Sequence, residues 1–290
     1  MDGIIIVDKP ADFTSRDVVN KIGKIFHTKK VGHTGTLDPL ATGVLVIALN
    51  KGTKIVELLT SVDKEYVAEF EFGTLTDTLD NTGNILSSEN TNFSEYDILN
   101  TLKKCTGEYE QTVPIYSAVK INGKKLYEYA RNNIPVELPK RLVNIKELEL
   151  LDIKQKENKT VIKVRTTVTK GTYIRSLGND IASHLNTFAI MTNLRRTRQG
   201  NFKIEDAIKL EDINEFNKLK EIKECLTDYE TIKTSVLFEE TLLNGSIIDN
   251  IYNKKEVLFV DQNENPIALY KIYSKDETKM KPWKMFKIKS

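Results

Sequence analysis

Two stretches of strict alternation most constrain how this 290-residue chain can fold. Over residues 65–72, Tyr66, Ala68, Phe70 and Phe72 point one way and Glu69 and Glu71 the other. Over residues 159–169, Ile162, Val164, Thr166 and Val168 alternate with Lys163, Arg165, Thr167 and Thr169. Period two places an apolar face on a core and a polar face in water, the pattern of half-buried antiparallel strands. Residues 4–7 and 43–49 read as buried strands, and Phe188, Ile190, Thr192 and Leu194 as a strand ending at the arginines that follow. Helical spacing lies between them. Ser15 is placed to cap Val18, Val19, Ile22, Ile25 and Phe26; Ser94 precedes Ile98, Leu99 and Leu102, with Gly107 placed to end that helix. A short helix is predicted over 124–131 after the Asn122-Gly123 turn, and another from Ser176 through Leu177, Ile181, Ala182 and Leu185.

No βαβ rhythm repeats, so the expected class is α+β, a largely antiparallel mixed sheet flanked by helices. Residues 205–233 read as helix and linker. Strands predicted at 257–260, 267–272 and 285–288 suggest a small β-rich C-terminal module, dividing the chain into 1–233 and 234–290.

Lys and Arg number 43 against 41 Asp and Glu, a net charge of +2. That is too mild for a polycation, so a nucleic-acid partner must be met by local patches. Such patches exist: residues 120–175 carry 14 Lys and Arg against 6 Asp and Glu, and seven lysines follow Tyr270. A third is Arg195-Arg196-Thr197-Arg198. Cys105 and Cys225 form no CxxC or Cys/His spacing, which argues against disulfides and zinc and fits a reducing, cytoplasmic compartment. No apolar run approaches the roughly 18 residues of a membrane span. Gly-Lys-Ser/Thr phosphate loops, GxGxxG, HExxH and GxSxG are absent from the sequence, which removes support for the common nucleotide, zinc and serine enzymes.

The richest segment for chemistry is residues 31–43, Val-Gly-His-Thr-Gly-Thr-Leu-Asp-Pro-Leu-Ala-Thr-Gly. Its glycines and proline describe a tightly constrained loop, and rigid loops hold functional side chains. Asp38 and His33 are the candidates there. An Asp before a proline ordinarily accepts backbone N–H groups in an Asx turn, so Asp38 alone is ambiguous. In Lys170-Gly171-Thr172-Tyr173-Ile174-Arg175, an extended chain would put Tyr173 and Arg175 on one face. Arg175 could then pair with a carboxylate and keep it ionised, or could be an ordinary surface arginine.

Gly32-His33-Thr34-Gly35-Thr36-Leu37-Asp38-Pro39-Leu40-Ala41-Thr42-Gly43-Val44-Leu45 closely resembles the catalytic-aspartate motif of the TruB family of tRNA pseudouridine synthases. Asp8-Lys9-Pro10, Lys64-Glu65-Tyr66, the run from Gly73 to Asp80, Pro114 to Lys120, Lys170 to Arg175 and Leu194-Arg195-Arg196-Thr197 resemble that family's motifs in the same order. The resemblance covers about residues 1–205. Phe72 stands where the family usually has leucine, and Val113-Pro114 where it often has Pro-Pro. The C-terminal residues look like a shortened RNA-binding module similar to a PUA domain.

The resemblance implies isomerisation of a uridine in RNA, the T-loop uridine at tRNA position 55, after base flipping. It implies no metal or cofactor and no obligate protein partner; the absence of a long apolar run argues against a membrane, and with no heptad or exposed apolar stripe in the sequence a monomer is expected. Asp38 matches the essential aspartate, Arg175 its ion-pair partner, and Tyr66 the tyrosine packed on the target base. Tyr173 and Leu194 match pocket residues, His33 the histidine at the loop vacated by flipped nucleotides, and Lys9 and Lys64 are expected at phosphates or the pocket rim. The basic patches, including Arg195, Arg196 and Arg198, are expected to meet the T arm's phosphates. The alternatives are a non-catalytic RNA-binding or RNA-folding protein and a guide-dependent pseudouridine synthase.

Overall fold

A computed structural model describes residues 1–287. Its main element is a ten-stranded sheet made of β1 (Gly3–Lys9), β2 (Val31–His33), β3 (Thr42–Leu49), β4 (Lys64–Phe72), β5 (Gly107–Thr112), β6 (Lys140–Lys156), β7 (Lys159–Val168), β8 (Ala189–Gln199), β9 (Phe202–Lys203) and β10 (Ile208–Lys209). The order is β10-β1-β3-β8-β4-β7-β6-β5, with β2 on β3 and β9 on β8. Pairing is antiparallel except for β1 with β10 and β3 with β8. The class is therefore the expected mixed α+β sheet. The two alternating stretches are neighbours: Tyr66 pairs with Thr166 and Phe70 with Ile162.

One face of the sheet is covered by α1 (Ser15–Ile25), α2 (Glu95–Lys104) and α3 (Ile174–Ser183), whose Val18, Ile22, Ile98, Leu102, Leu177 and Ile181 join Tyr66, Ala68, Phe70 and Phe72 in the principal core. Gly178 lets α3 lie close on β4, since a Cβ there would be 2.5 Å from the Phe70 ring. The other face, with Ile4, Ile6, Val44, Val46 and Phe202, shares a second cluster with Leu258, Val260, Leu269 and Phe286. Leu258, Val260 and Leu269 belong to a five-stranded sheet of β11 (Thr231–Lys233), β12 (Ile248–Asp249), β13 (Glu256–Val260), β14 (Pro266–Tyr273) and β15 (Asp276–Met285), and Phe286 directly follows its last strand. The β-rich C-terminal part thus packs on the back of the main sheet, taking an edge strand from before residue 234. Among the described residues no helix is long and apolar enough to cross a membrane.

Several predicted boundaries move. Thr14, not Ser15, caps α1 in a capping box with Asp17, because the Ser15 hydroxyl is engaged by Leu37. The helix after Ser94 ends at Cys105, and Gly107, at φ 106°, begins β5 instead. Residues 205–233 contain no α-helix, only 3-10 turns and short strands; their apolar residues Leu210, Ile213, Leu219 and Leu226 are spread over both cores. The long strand β6 was not anticipated, since its inward residues do not alternate cleanly across two register shifts against β7. β8 runs through the arginines rather than stopping at them. The last strand ends at Met285 and precedes the predicted one; Ile288 lies outside the described residues.

Parallel β3 and β8 touch only at Thr42–Arg195 and Gly43–Arg196, then diverge. The fully buried Arg196 side chain fills the gap, its Nε donating to the Val44 carbonyl at 2.7 Å and its Nη2 to that of Gly35 at 3.1 Å. Gly43, at φ 100°, permits the contact, because a Cβ there would lie 2.2 Å from the Arg196 carbonyl oxygen. Gly43→Ala is expected to lower the unfolding free energy by more than about 1 kcal/mol, seen as a lower urea midpoint at unchanged slope; an unmoved midpoint would show that the two strands part freely.

Candidate active site

The segment from Thr34 to Ala41 is held at nearly every residue. The Ser15 hydroxyl accepts the Leu37 N–H at 2.9 Å and donates to its carbonyl at 3.2 Å. The Gln199 amide donates to Thr34 at its carbonyl and its hydroxyl. Arg196 donates to Gly35, and the Asp12 N–H to Pro39. Leu37 is buried in the core beside Ala41. The Ala41 N–H closes the turn on the Asp38 carbonyl at 3.0 Å, so the Asp38 carboxylate is not spent on an Asx turn.

That carboxylate meets Arg175. Nε donates to Oδ2 at 3.0 Å, and Nη2 reaches Oδ1 at 3.4 Å. The guanidinium also donates to the carbonyls of Thr78 and Tyr116, each at 3.0 Å, and lies 3.8 Å from Asp80. Arg175 is nearly buried, while a third of the Asp38 side chain stays open. Oδ1, held only by the long contact, is thus the oxygen with acceptor capacity to spare. Arg175 does not sit on an extended strand as expected. It lies in the first turn of α3, with Tyr173 at the extended N-cap position before it, and both nevertheless reach one pocket.

The pocket has a volume of about 300 Å³ and is walled by Asp38, Tyr66, Tyr127, Tyr173, Arg175 and Leu194, among others. This is the low end for a small-molecule site and suits one planar ring. Tyr66 stands on the inward face of β4, and its hydroxyl makes no hydrogen bond among the described residues. Asp38, Tyr66, Arg175, Tyr173 and Leu194 are thereby brought together.

His33, Lys9 and Lys64 are not pocket walls. His33 accepts the Gly35 N–H through Nδ1 at 3.3 Å, and burial with Arg16 and Arg196 nearby pushes its pKa down. Lys9, expected at phosphates or the rim, is fully buried. Its ammonium donates to the carbonyls of Pro10, Phe13 and Pro39, and burial lowers its pKa to about 8. Lys64 likewise donates to the carbonyls of Thr60 and Val62, with its pKa pushed to about 8 by burial. Both are loop clamps: the Lys9 ammonium spends all three donors on carbonyls and has none left for a phosphate, whereas Lys64 spends two of its three. Of the arginine patch, Arg196 alone is corrected in this way, being fully buried; Arg195 pairs with Asp8 at 2.7 Å and Arg198 lies 3.7 Å from Glu65, both partly exposed. In the lysine-rich tail, Lys284 and Lys287 pair with Glu57 and Glu239, and Lys271 and Lys281 sit over Trp283 and Tyr273.

Asp80 was not singled out from sequence. It is almost fully buried, with Oδ1 accepting from Thr78, from Thr82 Oγ1 and from the Thr82 N–H, next to Leu79 at φ 61°. The signal available was a carboxylate set among threonines in Thr-Asp-Thr-Leu-Asp-Asn-Thr, a composition suited to a self-bonded turn.

A model described as TruB family pseudouridylate synthase (N terminal domain) matches residues 23–174, and one described as tRNA pseudouridylate synthase B C-terminal domain matches residues 175–233. The fold agrees: the chain is similar to that in the Cbf5-Nop10-Gar1 complex, with a TM-score of 0.74 and 27% identity over 99% of this chain and 85% of that one. A similar chain occurs in an H/ACA RNP bound to a substrate RNA containing 2'-deoxyuridine, with a TM-score of 0.73 and 26% identity over 98% and 85%. Family models and fold define a pseudouridine synthase. The protein called tRNA pseudouridine synthase B from Clostridium tetani is 43% identical, over 93% of this chain and 95% of its own length. Its counterpart from Staphylococcus aureus strain MRSA252 is 39% identical over 98% and 99%. The chain belongs to the TruB family.

Lys9→Met is expected to lower the unfolding free energy by about 1–3 kcal/mol, since three buried carbonyls lose their donor. Chemical denaturation reads this directly, and wild-type stability would remove the clamp.

Proposed function

We propose that this protein is a tRNA pseudouridine synthase that converts the T-loop uridine at position 55, with Asp38 as the catalytic nucleophile. The observation that carries the reading is a single open carboxylate, fixed by Arg175 at 3.0 Å, in a ring-sized pocket between Tyr66 and Leu194. The names of its relatives, 39–43% identical over nearly their whole length, support a tRNA substrate. We assign residues 1–233 to catalysis and 234–290 to RNA binding, in a cytoplasmic monomer.

The chemistry is an isomerisation. The N1–C1′ bond breaks, the base turns, a C5–C1′ bond forms, the C5 proton leaves and N1 gains one. The uridine must first leave its stack, and a pocket of this size admits the base once it is flipped. Addition of the carboxylate to C1′, addition to C6, and proton abstraction giving a glycal all begin at Asp38. Arg175 orients that carboxylate and balances its charge. Tyr66 is assigned to pack on the base and is the candidate to take the C5 proton. Tyr173 and Leu194 shape the base site, and His33, outside the pocket, is assigned to the vacated loop.

The test uses purified protein and unmodified tRNA transcript tritiated at C5 of uridine. Tritium release is expected, and it should vanish when the T-loop uridine is replaced by cytidine; release that persists would place the target elsewhere. Asp38→Asn should cut turnover by roughly 10³-fold or more with RNA affinity within a few fold. Near-wild-type turnover would remove Asp38 from the nucleophile's role.

RNA binding should weaken with salt. The slope should be steep, because most of the basic side chains outside Lys9, Lys64 and Arg196 are exposed or only in surface ion pairs, and a flat dependence would discredit the patches as phosphate contacts. A slope unchanged when Lys9 is replaced by Met would separate the clamp from phosphate contact.

A further inference from the structure

Helix α3 delivers Arg175 to the pocket, yet no side chain caps its N-terminus in the usual way. The Tyr173 N–H is instead donated to Gln111 Oε1, on β5, at 2.7 Å. Gln111 is almost completely buried. Its Nε2 donates to the Tyr109 hydroxyl at 3.0 Å and to Asp180 Oδ2 at 3.1 Å, and the Tyr109 hydroxyl donates to the same carboxylate oxygen at 2.7 Å.

The direction of this amide is dictated by its neighbours. A carboxylate only accepts, and the phenol's one proton is spent on it, so the NH₂ group must face both and the carbonyl oxygen must face Tyr173. Burial pushes the Asp180 carboxyl up, opposed by its bonds from Tyr109 and Gln111, and the Tyr109 phenol is raised in turn. The next residue of β5 completes the grip: the Ser176 hydroxyl donates to the Thr112 carbonyl at 2.9 Å. The end of β5 therefore holds the chain two residues before Arg175 and one residue after it. None of Tyr109, Gln111 and Asp180 lines the pocket.

We propose that Gln111, oriented by Asp180 and Tyr109, is a positioning residue for the reaction. Through the Tyr173 N–H it sets where α3 begins, and so where Tyr173 and Arg175 enter the site. The guanidinium must reach Asp38, Thr78 and Tyr116 at once, three acceptors on three separate segments, and a helix start displaced by about 1 Å cannot serve all three. The proposal rests on the assignment of Asp38 and Arg175 to catalysis.

Four variants test it in the full chain, with turnover, KM for tRNA, thermal midpoint and exchange of the Tyr173 amide hydrogen as readouts. Gln111→Ala is expected to lower kcat roughly 10- to 100-fold with KM within about twofold and with faster Tyr173 exchange. Asp180→Asn keeps an acceptor oxygen for both donors and should stay near wild type. Asp180→Ala should resemble Gln111→Ala, and the double alanine variant should be no worse than either, because the two residues act in series.

Gln111→Glu would set two carboxyl groups against each other, which raises the pKa of the pair. Its kcat should be retained at low pH, where they share a proton, and fall as pH rises and that proton is lost; the wild-type protein should lack this limb. A lower thermal midpoint with wild-type kcat in the folded protein, or a change in KM alone, would overturn the proposal. Unchanged Tyr173 exchange in Gln111→Ala would do so as well. Tyr173 exchange does not depend on which residue performs the chemistry, so active Asp38→Asn would defeat the catalytic assignment while leaving this contact separately measured.

Discussion

The ion pair between Asp38 and Arg175 is the interaction on which the arrangement around it depends. It joins the loop before β3 to the first turn of α3, elements far apart in sequence, and each must be carried to the meeting point by its own supports. A buried guanidinium is costly unless its donors are satisfied. Here the Thr78 and Tyr116 carbonyls and Asp80 take what Asp38 does not. One cation thus gathers four segments, and the pocket is the space they leave on the open side of Asp38.

The supports are mostly side chains bonded to backbone. Lys9 and Ser15 hold the Asp38 loop from below, Arg196 and Gln199 hold it from β8, and Gln111 holds the start of α3. A functional carboxylate must be kept within a fraction of an ångström to be useful, and this requires partners whose own positions are locked. The sheet provides that. Arg196 is itself fixed by the parting of β3 and β8, and Gln111 by β5 and the carboxylate of α3. The distinction between fold and site is therefore slight in this half of the molecule, since polar groups that complete the sheet also place the loop bearing Asp38.

Much was legible because it repeats. Alternation at Tyr66–Phe72 and Ile162–Val168 located two adjacent strands and put Tyr66 on the inward face. The cluster of glycine, proline and threonine around Asp38 marked a constrained loop. Two of the C-terminal strands, Glu256–Val260 and Pro266–Tyr273, stood out as apolar runs. Lys9, Lys64 and Arg196 were misjudged for one reason: a positive charge in a sequence is read as exposed, and only packing shows that carbonyl oxygens have been arranged around it. Asp80 offered only the local signal of a carboxylate among threonines, and Gln111 gave little, because Asp180 and Tyr173 lie far from it in sequence. Residues 205–233 looked helical in composition, but their apolar side chains are divided between two cores, which no single amphipathic helix could reach.

The sequence alone determined the mixed α+β class, the strand faces, the loop bearing Asp38 and the motifs that place the chain in its family. These rest on local properties: period-two alternation, the φ restrictions of proline and glycine, and ordered short motifs. Tertiary structure alone decided that Arg175 reaches Asp38 from a helix rather than a strand, that three basic side chains are clamps, and that the C-terminal sheet shares a core with the main one. Each of these depends on which distant groups come within 3 Å of each other, and that is a property of packing.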